Sequence, residues 1–391
     1  MSRGTEYPIV IVGTGFAGYT VARELRRRDR NVGLLMLSCD DGNQYSKPML
    51  SNAFAQKMSL AQLAGTPREQ MAKRLNAEIE PNLSVEWIDP VAHSLYLSEG
   101  GQIGYGKLVL AVGAQARVPQ FGGNAVSRVL SVNSLSEYET LLAALDGASK
   151  VAIIGAGLVG CELANDLLAG GYSVDLLDVS MRMLDRFLPP EAADTVTQAL
   201  VAEGVQWHPG AIIESIDTAE TDGRQLVITG DNGLRIVCDV VIAAIGLIPQ
   251  TVRAEPPLQI NRGIVVDRYL QTSAPDIYAI GDCAELDGSV LPFLEPVQHG
   301  ARALAATLTG VATPVHYPPM PIDVKTPAHP VRVVLPPVGT RGGWQMQNSD
   351  SKGVYAIFIE ESGAMAGYAL SGDQVSRESE LTSVFEARMS A

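Results

Sequence analysis

The sequence predicts an α/β protein with two similar three-layer domains and a small C-terminal α+β domain. A short apolar run, a glycine-rich turn and a helical pattern follow one another twice, at residues 8–28 and 151–168. The tail after about residue 318 instead alternates strand-like runs with turns. Hydrophobic residues make up 46% of the 391 residues and charged residues 18%, a balance that favours large packed cores over disorder.

The first repeat starts with the apolar run Pro8–Val12 and continues into the GTGFAG turn Gly13–Gly18 and a helix that reaches Arg26–Arg28. In a strand–turn–helix setting, the first glycine of G-x-G-x-x-G permits the tight turn and the second lets the backbone approach a pyrophosphate. The third lets the helix pack closely on the sheet. We therefore expect this unit to bind a dinucleotide. Its next strand, Val32–Leu37, ends in Ser38 rather than an acid, which leaves ribose recognition open.

The second repeat joins the apolar run Val151–Ile154 to the GAGLVG turn Gly155–Gly160. Two such motifs imply two dinucleotides, or one dinucleotide and one structural relic. The following strand, Ser173–Asp178, ends in an acid where a carboxylate would bind the adenosine ribose hydroxyls and repel a 2′-phosphate. This site is therefore expected to prefer NADH to NADPH. Arg182 nearby is the one feature that could soften the preference, and a solvated strand-end Asp178 is the alternative interpretation.

Two further apolar strands end in glycine, Leu108–Gly113 and Val240–Gly246, and a proline follows each. They mark places where the chain leaves one dinucleotide domain for the other. The strand Ile277–Ile280 runs into Gly281-Asp282, whose acid could accept a hydrogen bond from a polyol or cap the next helix. These features predict three domains, at residues 1–114 with 247–318, at 115–246 and at 319–391.

Charge and cysteine spacing narrow the function classes. Lys and Arg total 29 against 43 Asp and Glu, so the net charge of −14 disfavours nonspecific nucleic-acid or anionic-membrane binding. The longest strictly apolar run, Val151–Cys161, is shorter than the ~18 residues of a membrane span, and we expect a cytoplasmic protein. The four cysteines lie far apart at Cys39, Cys161, Cys238 and Cys283, so neither a short-spaced redox pair nor a zinc site is predicted.

Several motifs, in order, resemble the FAD-dependent pyridine nucleotide–disulfide oxidoreductases over essentially the whole chain. They are the two glycine motifs, Ala111-Val112-Gly113, Glu162 just after the second motif, and Gly281-Asp282. Within that family, Tyr45–Ser51 (YSKPMLS) and Val324–Ala328 (VKTPA) are most similar to NADH:rubredoxin reductases. Related ferredoxin reductases carry a different stretch at the first position, with a later lysine where this chain has Asn52. The redox disulfide of other family members is missing.

The resemblance implies FAD in the first Rossmann-like unit, NADH in the second and an interface-type C-terminal domain. Lys47 would lie against the flavin near N5, Glu162 near the nicotinamide amide and Lys325 near the pyrimidine side, and these three are the expected catalytic residues. Val85 would contact the adenine through its backbone, and Asp282 would bind the ribityl chain or a phosphate-side hydroxyl. The full set expected to bind the two cofactors is Gly13, Gly15, Ala17, Gly18, Ser38, Lys47, Pro48, Val85, Ala111, Gly113, Gly155, Gly157, Leu158, Val159, Gly160, Glu162, Asp178, Gly246, Gly281, Asp282 and Lys325.

The activity implied is hydride transfer from NADH to FAD, followed by single-electron transfer to rubredoxin in support of alkane hydroxylation. A ferredoxin reductase of an oxygenase system and an NADH oxidase are alternatives, the latter using Cys39, and a redox-sensing flavoprotein is a third. A rubredoxin, being acidic, would need a local positive surface. The candidates are Arg23, Arg26, Arg27, Arg28, Arg30, Arg68, Lys73 and Arg74. Oligomeric state is left open, with a monomer among the options.

Overall fold

A computed structural model describes residues 6–220, 223–327, 329–350 and 352–389. The chain forms two compact units, each assembled from three stretches. The first unit comprises Met1–Ser46, Ala64–Gln115 and Leu247–Pro318, and the second Lys47–Leu63, Ala116–Gly246 and Pro319–Ala391. The stretch Lys47–Leu63 therefore packs with the second unit, although it precedes most of the first in sequence. The functional division into three domains stays a prediction, and Ala328 of the VKTPA motif lies outside the described residues.

The first unit is built on a large sheet whose centre is parallel. Glu6–Val12 pairs with Leu34–Leu37 on one side and with Gln102–Leu110 on the other, so that Val10 lies beside Leu35 and Leu108. The sheet continues outward through further strands: Glu78–Glu80, Val85–Asp89, Ser94–Leu97, Arg253–Ala254 and Ile277–Ala279. Because the central strands are covered on both faces, they consist of continuous apolar residues rather than alternating ones.

Helix Phe16–Arg28 follows the central strand directly and packs against helix Leu294–Leu308. Its apolar side is buried through Tyr19, Val21, Ala22 and Leu25, at the spacing of one helix face. The first unit also contains the helix Arg68–Leu75 and the parallel strand pair Ile264–Val266 and Ala284–Leu286. The short helix Leu60–Leu63 belongs to the second unit. Two short strands coincide with the passages of the chain between units: Ala114–Ala116 and Leu247–Pro249.

The second unit contains a four-stranded parallel sheet in the order Gln206–Pro209, Ser173–Asp178, Lys150–Ile154 and Val240–Ala243. Helix Leu158–Ala169 connects its two middle strands and lies on the sheet. Beside it, a three-stranded antiparallel sheet carries the rest of the local core: Ile213–Thr218, Leu226–Gly230 and Arg235–Cys238. Strand–helix–strand succession around parallel strands is the arrangement that the repeated motif predicts.

The C-terminal stretch of the second unit forms an antiparallel five-stranded sheet. Its strands, in spatial order, are Ile322–Val324, Val331–Val334, Met365–Ser371, Gly353–Glu360 and Gly342–Asp350.

The helices of the second unit are Leu60–Leu63, Leu135–Leu145, Leu158–Ala169, Pro190–Ala202 and Glu378–Met389. Short 3₁₀ turns occur at Lys47–Met49, Val126–Arg128, Asp231–Gly233 and Gly372–Arg377. The predicted fold class, two Rossmann-like three-layer parts and a small α+β part, is confirmed.

Across the described part of the chain, none of the helices combines the length and the apolar character needed to cross a membrane.

Candidate dinucleotide and charge-pair sites

The first glycine turn, residues 13–18, uses its three glycines for different purposes. Gly13 has φ +113°, and a Cβ there would lie 2.2 Å from the carbonyl oxygen of Ala111. A Cβ on Gly18 would lie 2.0 Å from the carbonyl oxygen of Gly13. Gly15, by contrast, has no atom within 4 Å of such a Cβ. The outer glycines are thus required by the packing of the protein itself, while the middle one faces open space at the beginning of a helix.

The second glycine turn, residues 155–160, repeats this geometry. Gly155 has φ +110° and its Cβ would lie 2.4 Å from the carbonyl oxygen of Ala244, while a Cβ on Gly160 would lie 1.8 Å from that of Gly155. Gly157 again has no atom within 4 Å. Leu158 and Val159, the first residues of the helix, are half-buried and exposed respectively. The two turns, which begin 142 residues apart, therefore leave the same open space beside the backbone of their middle glycine.

Both open positions fit a pyrophosphate. Gly15 and Gly157 stand at the N-caps of helices Phe16–Arg28 and Leu158–Ala169, and neither has a side-chain cap or an acidic residue in the first turn. The first N–H groups of a helix have no partner within it, and the helix dipole adds positive potential there. An anion with several acceptor oxygens satisfies both, and a side chain at the middle glycine would occupy the same space.

Asp178 is held at the end of its strand by the second glycine turn. Its carboxylate accepts hydrogen bonds from the backbone N–H of Ala156 at 2.6 Å and of Ser180 at 2.7 Å. Arg182 is engaged elsewhere, because its Nε lies 2.8 Å from the carboxylate of Asp194. The arrangement leaves a partly exposed anion beside the turn, and it engages the nearby Arg182 with another carboxylate.

In the first unit the corresponding strand ends in a hydrogen-bonded group rather than a single acid. Ser38 is buried, and its hydroxyl hydrogen-bonds to Thr14 of the glycine turn and to the carboxylate of Asp40. Asp40 itself is exposed. The N–H of Leu83 donates to the carbonyl oxygen of Ser38 at 2.7 Å, which brings the chain just before Val85 past the same strand end. The exposed acid of this group is therefore Asp40, two residues beyond the predicted position.

The strand-end glycines that the sequence singles out also have special backbone geometry. Gly113 and Gly246 have φ of +71° and +105°, so each turns the chain in a conformation that favours glycine. A Cβ on Gly281 would lie 2.9 Å from the Cβ of Ala17. Asp282, the next residue, therefore follows a close approach to the first turn of helix Phe16–Arg28.

Glu162 and Lys325, two of the three expected catalytic residues, form an ion pair within the second unit. Lys325 Nζ lies 3.1 Å from Glu162 Oε2, and the backbone N–H of Lys325 donates to Oε1 at 3.1 Å. Lys325 Nζ also donates to the carbonyl oxygen of Pro48 at 2.6 Å, and Ser51 Oγ donates to Glu162 Oε2 at 2.6 Å. Three distant stretches of chain thus meet at one carboxylate, which is only 7% exposed.

Lys47, the third expected catalytic residue, begins the 3₁₀ turn that supplies the Pro48 carbonyl, but its own side chain is exposed and lies outside the ion pair. The structure therefore brings together Glu162, Lys325 and the Pro48 carbonyl. The expected catalytic role of Lys47 stays a prediction.

A family model described as pyridine nucleotide-disulphide oxidoreductase matches residues 7–307, most of the chain. The chain belongs to this family. A second model, described as rubredoxin binding C-terminal domain, matches residues 314–384. This membership confirms the predicted family and supports FAD and NADH as the two dinucleotides.

Similar proteins extend over nearly the full chain. A protein of Alcanivorax borkumensis named "Rubredoxin-NAD(+) reductase" is 41% identical over 98% of this chain and 100% of its own length. One of Aeromonas salmonicida named "Nitric oxide reductase FlRd-NAD(+) reductase" is 37% identical over 95% of each chain. Among solved structures, a ferredoxin reductase from Rhodopseudomonas palustris superposes with a TM-score of 0.83 at 27% identity, covering 93% of this chain and 91% of its own. An NADH:rubredoxin oxidoreductase from Clostridium acetobutylicum, at 20% identity and a TM-score of 0.80 over 98% and 96%, shares the fold.

Two residues of this pyridine nucleotide-disulphide oxidoreductase are absent from the predicted site: Asp166, and Ser51, which the sequence indicates only as the end of the YSKPMLS motif. Asp166 is 1% exposed, and its carboxylate accepts the backbone N–H groups of Ala55 at 2.8 Å and Phe54 at 3.2 Å. Burial raises the pKa of this carboxyl, and the backbone hydrogen bonds oppose that shift. A signal did exist, because an aspartate between Ala164 and Leu167 interrupts the apolar side of a helix.

Three cysteines of this family member, Cys161, Cys238 and Cys283, are buried thiols. Burial raises the pKa of Cys283 to about 11 and of Cys238 to about 12, and it also raises that of Cys161. A thiol with so high a pKa is protonated, and hence unreactive, at neutral pH. Cys39 is the exposed one. Among the described residues, no group of three or more His, Cys, Asp or Glu is placed to hold a metal ion.

The prediction that Arg26 belongs to a basic surface for docking rubredoxin is wrong. That side chain is 8% exposed, and its guanidinium donates to the backbone carbonyls of Leu75, Asp29 and Asn76. Five N–H donors let a buried guanidinium bind several carbonyls, so Arg26 joins two helix ends instead of facing a partner. Arg27 is exposed, but it pairs with Glu24 at 2.6 Å, which reduces its effect on the surface potential.

Proposed function

We propose that this protein takes hydride from NADH onto FAD and passes single electrons to rubredoxin. The observation that carries the proposal is a match to a rubredoxin-binding domain at residues 314–384, in a chain that also has two helix N-termini built for pyrophosphates. Relatives named "Rubredoxin-NAD(+) reductase", with nearly complete mutual coverage, support the same activity.

The two glycine turns divide the cofactors between them. The first turn, with its open position at Gly15, would hold the FAD pyrophosphate, and Asp40 is the exposed acid beside it. The second turn would hold NADH, whose adenosine ribose hydroxyls Asp178 can bind while repelling a 2′-phosphate. When bound, FAD supplies the chemistry that connects a two-electron donor to a one-electron acceptor. The other expected contacts are Ala17, Ala111, Gly113, Val85, Gly281 and Asp282 for FAD, and Leu158, Val159 and Gly246 for NADH.

The ion pair gives the second unit a cation of fixed position. Lys325 is held by both Glu162 and the Pro48 carbonyl, so its ammonium has little freedom to move. A preorganised positive charge stabilises negative charge that develops during a reaction without further reorganisation. We assign Lys325 this electrostatic role in hydride transfer, with Glu162 orienting it. Lys47, whose side chain is exposed, is assigned the same role from the family resemblance alone.

Electrons leave without a protein thiol. The three buried cysteines are kept protonated at neutral pH, and all four lie far apart in sequence. An external one-electron carrier is the simplest acceptor, and rubredoxin is such a carrier. The C-terminal sheet, rather than the arginine-rich helix Phe16–Arg28, is the expected docking region.

The downstream system and the compartment are part of the proposal. Rubredoxin would pass electrons to an alkane hydroxylase, whereas relatives named "Nitric oxide reductase FlRd-NAD(+) reductase" favour a nitric oxide reductase as the second candidate. NADH is a cytoplasmic reductant, and we place the reaction in the cytoplasm.

The test measures the rate of NADH oxidation by the FAD-loaded protein with three acceptors: rubredoxin, a [2Fe–2S] ferredoxin, and oxygen alone. Each measurement is repeated with NADPH as the matched control. Fast turnover that requires both NADH and rubredoxin is expected. Equal rates without any carrier, accompanied by peroxide or water formation, would refute the proposal in favour of an oxidase. Preference for the ferredoxin would refute it in favour of an oxygenase reductase.

A further inference from the structure

A stretch that we call the docking segment, residues 47–57, runs along helix Leu158–Ala169 within the second unit. Near its start, the Pro48 carbonyl and Ser51 Oγ contact Lys325 and Glu162. Seven residues further along from Pro48, the N–H of Ala55 binds Asp166. Glu162 and Asp166 are four residues apart and hence on one face of the helix, one turn from each other. The two carboxylates therefore hold the docking segment at two places, at Ser51 and at Phe54 with Ala55.

Asp166 acts on the docking segment as a helix cap supplied from outside it. The segment makes a short helical turn in which Gln56 N donates to Asn52 O and Lys57 N donates to Phe54 O. The N–H groups of Phe54 and Ala55 lie inside this turn, and both donate to Asp166. Neither donor is a basic side chain, so this buried carboxylate is satisfied by backbone that only one placement of the segment can provide.

An aromatic contact reinforces the same placement. The Phe54 ring lies 5.7 Å from that of Tyr172, edge to face, and 6.5 Å from that of Tyr138. A Cβ on Gly170, just after the helix, would lie 2.9 Å from Phe54 Cδ1. Packing, capping and the Ser51 hydrogen bond thus act on one short segment.

We propose that Asp166 is a positioning residue, which fixes the docking segment so that the Pro48 carbonyl and Ser51 hold the Glu162–Lys325 pair in its working geometry. Asp166 makes no hydrogen bond to either member of the pair among the described residues, but the charge of Lys325 lowers the pKa of its carboxyl directly. The part of its effect that passes through the segment is therefore tested separately, by a variant that keeps the Asp166 charge. The part of this inference that concerns hydride transfer rests on the proposed function, whereas the part that concerns Lys325 does not.

The decisive measurement is the acylation rate of Lys325 by an amine-reactive reagent, followed by peptide mass spectrometry of the FAD-loaded protein. Lys107 is the internal reference, since its Nζ is likewise half-buried and donates to the carbonyl of Leu308 at 3.0 Å. In Asp166→Asn, one acceptor oxygen is replaced by a donor that faces a backbone N–H. Lys325 acylation relative to Lys107 is expected to rise about tenfold, as the segment loses a satisfied buried hydrogen bond.

Asp239→Asn is the matched control, because Asp239 also accepts two backbone N–H groups, of Ser149 at 2.8 Å and Lys150 at 2.9 Å, away from the docking segment. It is expected to lower stability but to leave Lys325 acylation unchanged. If the two variants show the same Lys325 acylation, Asp166 is merely structural and the inference is overturned. Phe54→Leu weakens the same segment through its packing and keeps the Asp166 charge. Lys325 acylation should rise in this variant too, and an unchanged rate would overturn the inference, also where Asp166→Asn cannot be purified.

Kinetics provide the second reading. Asp166→Asn is expected to lower kcat for NADH oxidation about tenfold and to leave the KM for NADH within about twofold, because Asp178 and the second glycine turn are intact. A change in KM with kcat preserved would overturn the positioning role. Should the unaltered protein fail to reduce rubredoxin, the proposed function fails, yet the acylation comparison still decides the role of Asp166.

Discussion

Replacing the middle glycine of the second turn separates nucleotide binding from folding. In Gly157→Ala the new Cβ meets no atom within 4 Å, and the backbone at φ −77°, ψ −166° is allowed for alanine. As an N-cap, alanine is less stabilising than glycine by up to about 1 kcal/mol. It also restricts the unfolded chain, and the lower entropy of that state stabilises the folded protein by about 0.4–1 kcal/mol. The two effects nearly cancel, and we expect a change in unfolding free energy below about 1 kcal/mol.

The methyl group does, however, occupy the space in which a phosphate would approach the helix N-terminus. Loss of one charge-assisted hydrogen bond costs about 1.5–3 kcal/mol, which corresponds to a rise in the KM for NADH of about tenfold to a hundredfold. The assay is NADH titration of steady-state turnover, together with urea unfolding of the same preparation. FAD content should not change, because the first turn is untouched.

Gly160→Ala is the matched control for this prediction. Its Cβ would lie 1.8 Å from the carbonyl oxygen of Gly155, a backbone atom that cannot move without distorting the turn. Overpacking of this kind costs about 1–3 kcal/mol or more, so this variant should lose stability first. An unchanged KM for NADH in Gly157→Ala, or equal destabilisation by both substitutions, would refute the assignment of the open position to a nucleotide phosphate.

Three further predictions concern charge. Asp178→Asn should reduce the preference for NADH over NADPH about tenfold in kcat/KM, because the anion that repels a 2′-phosphate is removed, and a constant ratio would exclude Asp178 from discrimination. Lys325→Met should slow turnover and lower the unfolding free energy by about 2 kcal/mol. This is less than the ~3–5 kcal/mol lost when a fully buried pair is broken, because the Lys325 side chain is 31% exposed. The control Lys352→Met, at an exposed position, should change neither quantity. Burial raises the pKa of the Cys283 thiol from 9.0 to about 11. At a pH between these two values the thiol keeps its proton in the folded protein but loses it in the unfolded chain. Stability should therefore fall as pH rises from about 9 to 11, and Cys283→Ala should make that fall shallower by about 1 kcal/mol per pH unit near pH 10, measured by urea unfolding, whereas identical slopes would contradict the shift.

The sequence predicts those parts of the fold that depend on local pattern. Both glycine turns, the strand Ser173–Asp178 and the helix ending at Arg28 occur where the apolar periodicity and the glycine spacing place them. Asp178 could be found because it ends a strand at a fixed distance from a glycine motif. Such features need only neighbouring residues, so one sequence is sufficient to find them.

Contacts that join distant stretches could not be derived in this way. Ser51 and Glu162 are 111 residues apart, and no periodicity connects them. Arg26 shows the same limit, because a run of three arginines at a helix end indicates a solvated surface until the carbonyls of Leu75 and Asn76 are placed beside it. Glu162 and Lys325 were both expected, but from a family resemblance rather than from spacing, and their ion pair becomes visible only in three dimensions.

Helix Leu158–Ala169 combines the functions that the second unit requires. Its N-terminus carries the open position for a phosphate, Glu162 follows five residues after Gly157, and Asp166 follows one turn later. At a rise of about 1.5 Å per residue, Glu162 lies roughly 7.5 Å along the axis from Gly157 and Asp166 roughly 13.5 Å. A helix holds such distances far better than a loop does. The ion pair and the docking segment are therefore set at fixed distances from the proposed nucleotide site. This gives a physical reason for residues 47–63 to pack with the unit proposed to bind NADH, although they lie in the sequence between strands of the other unit.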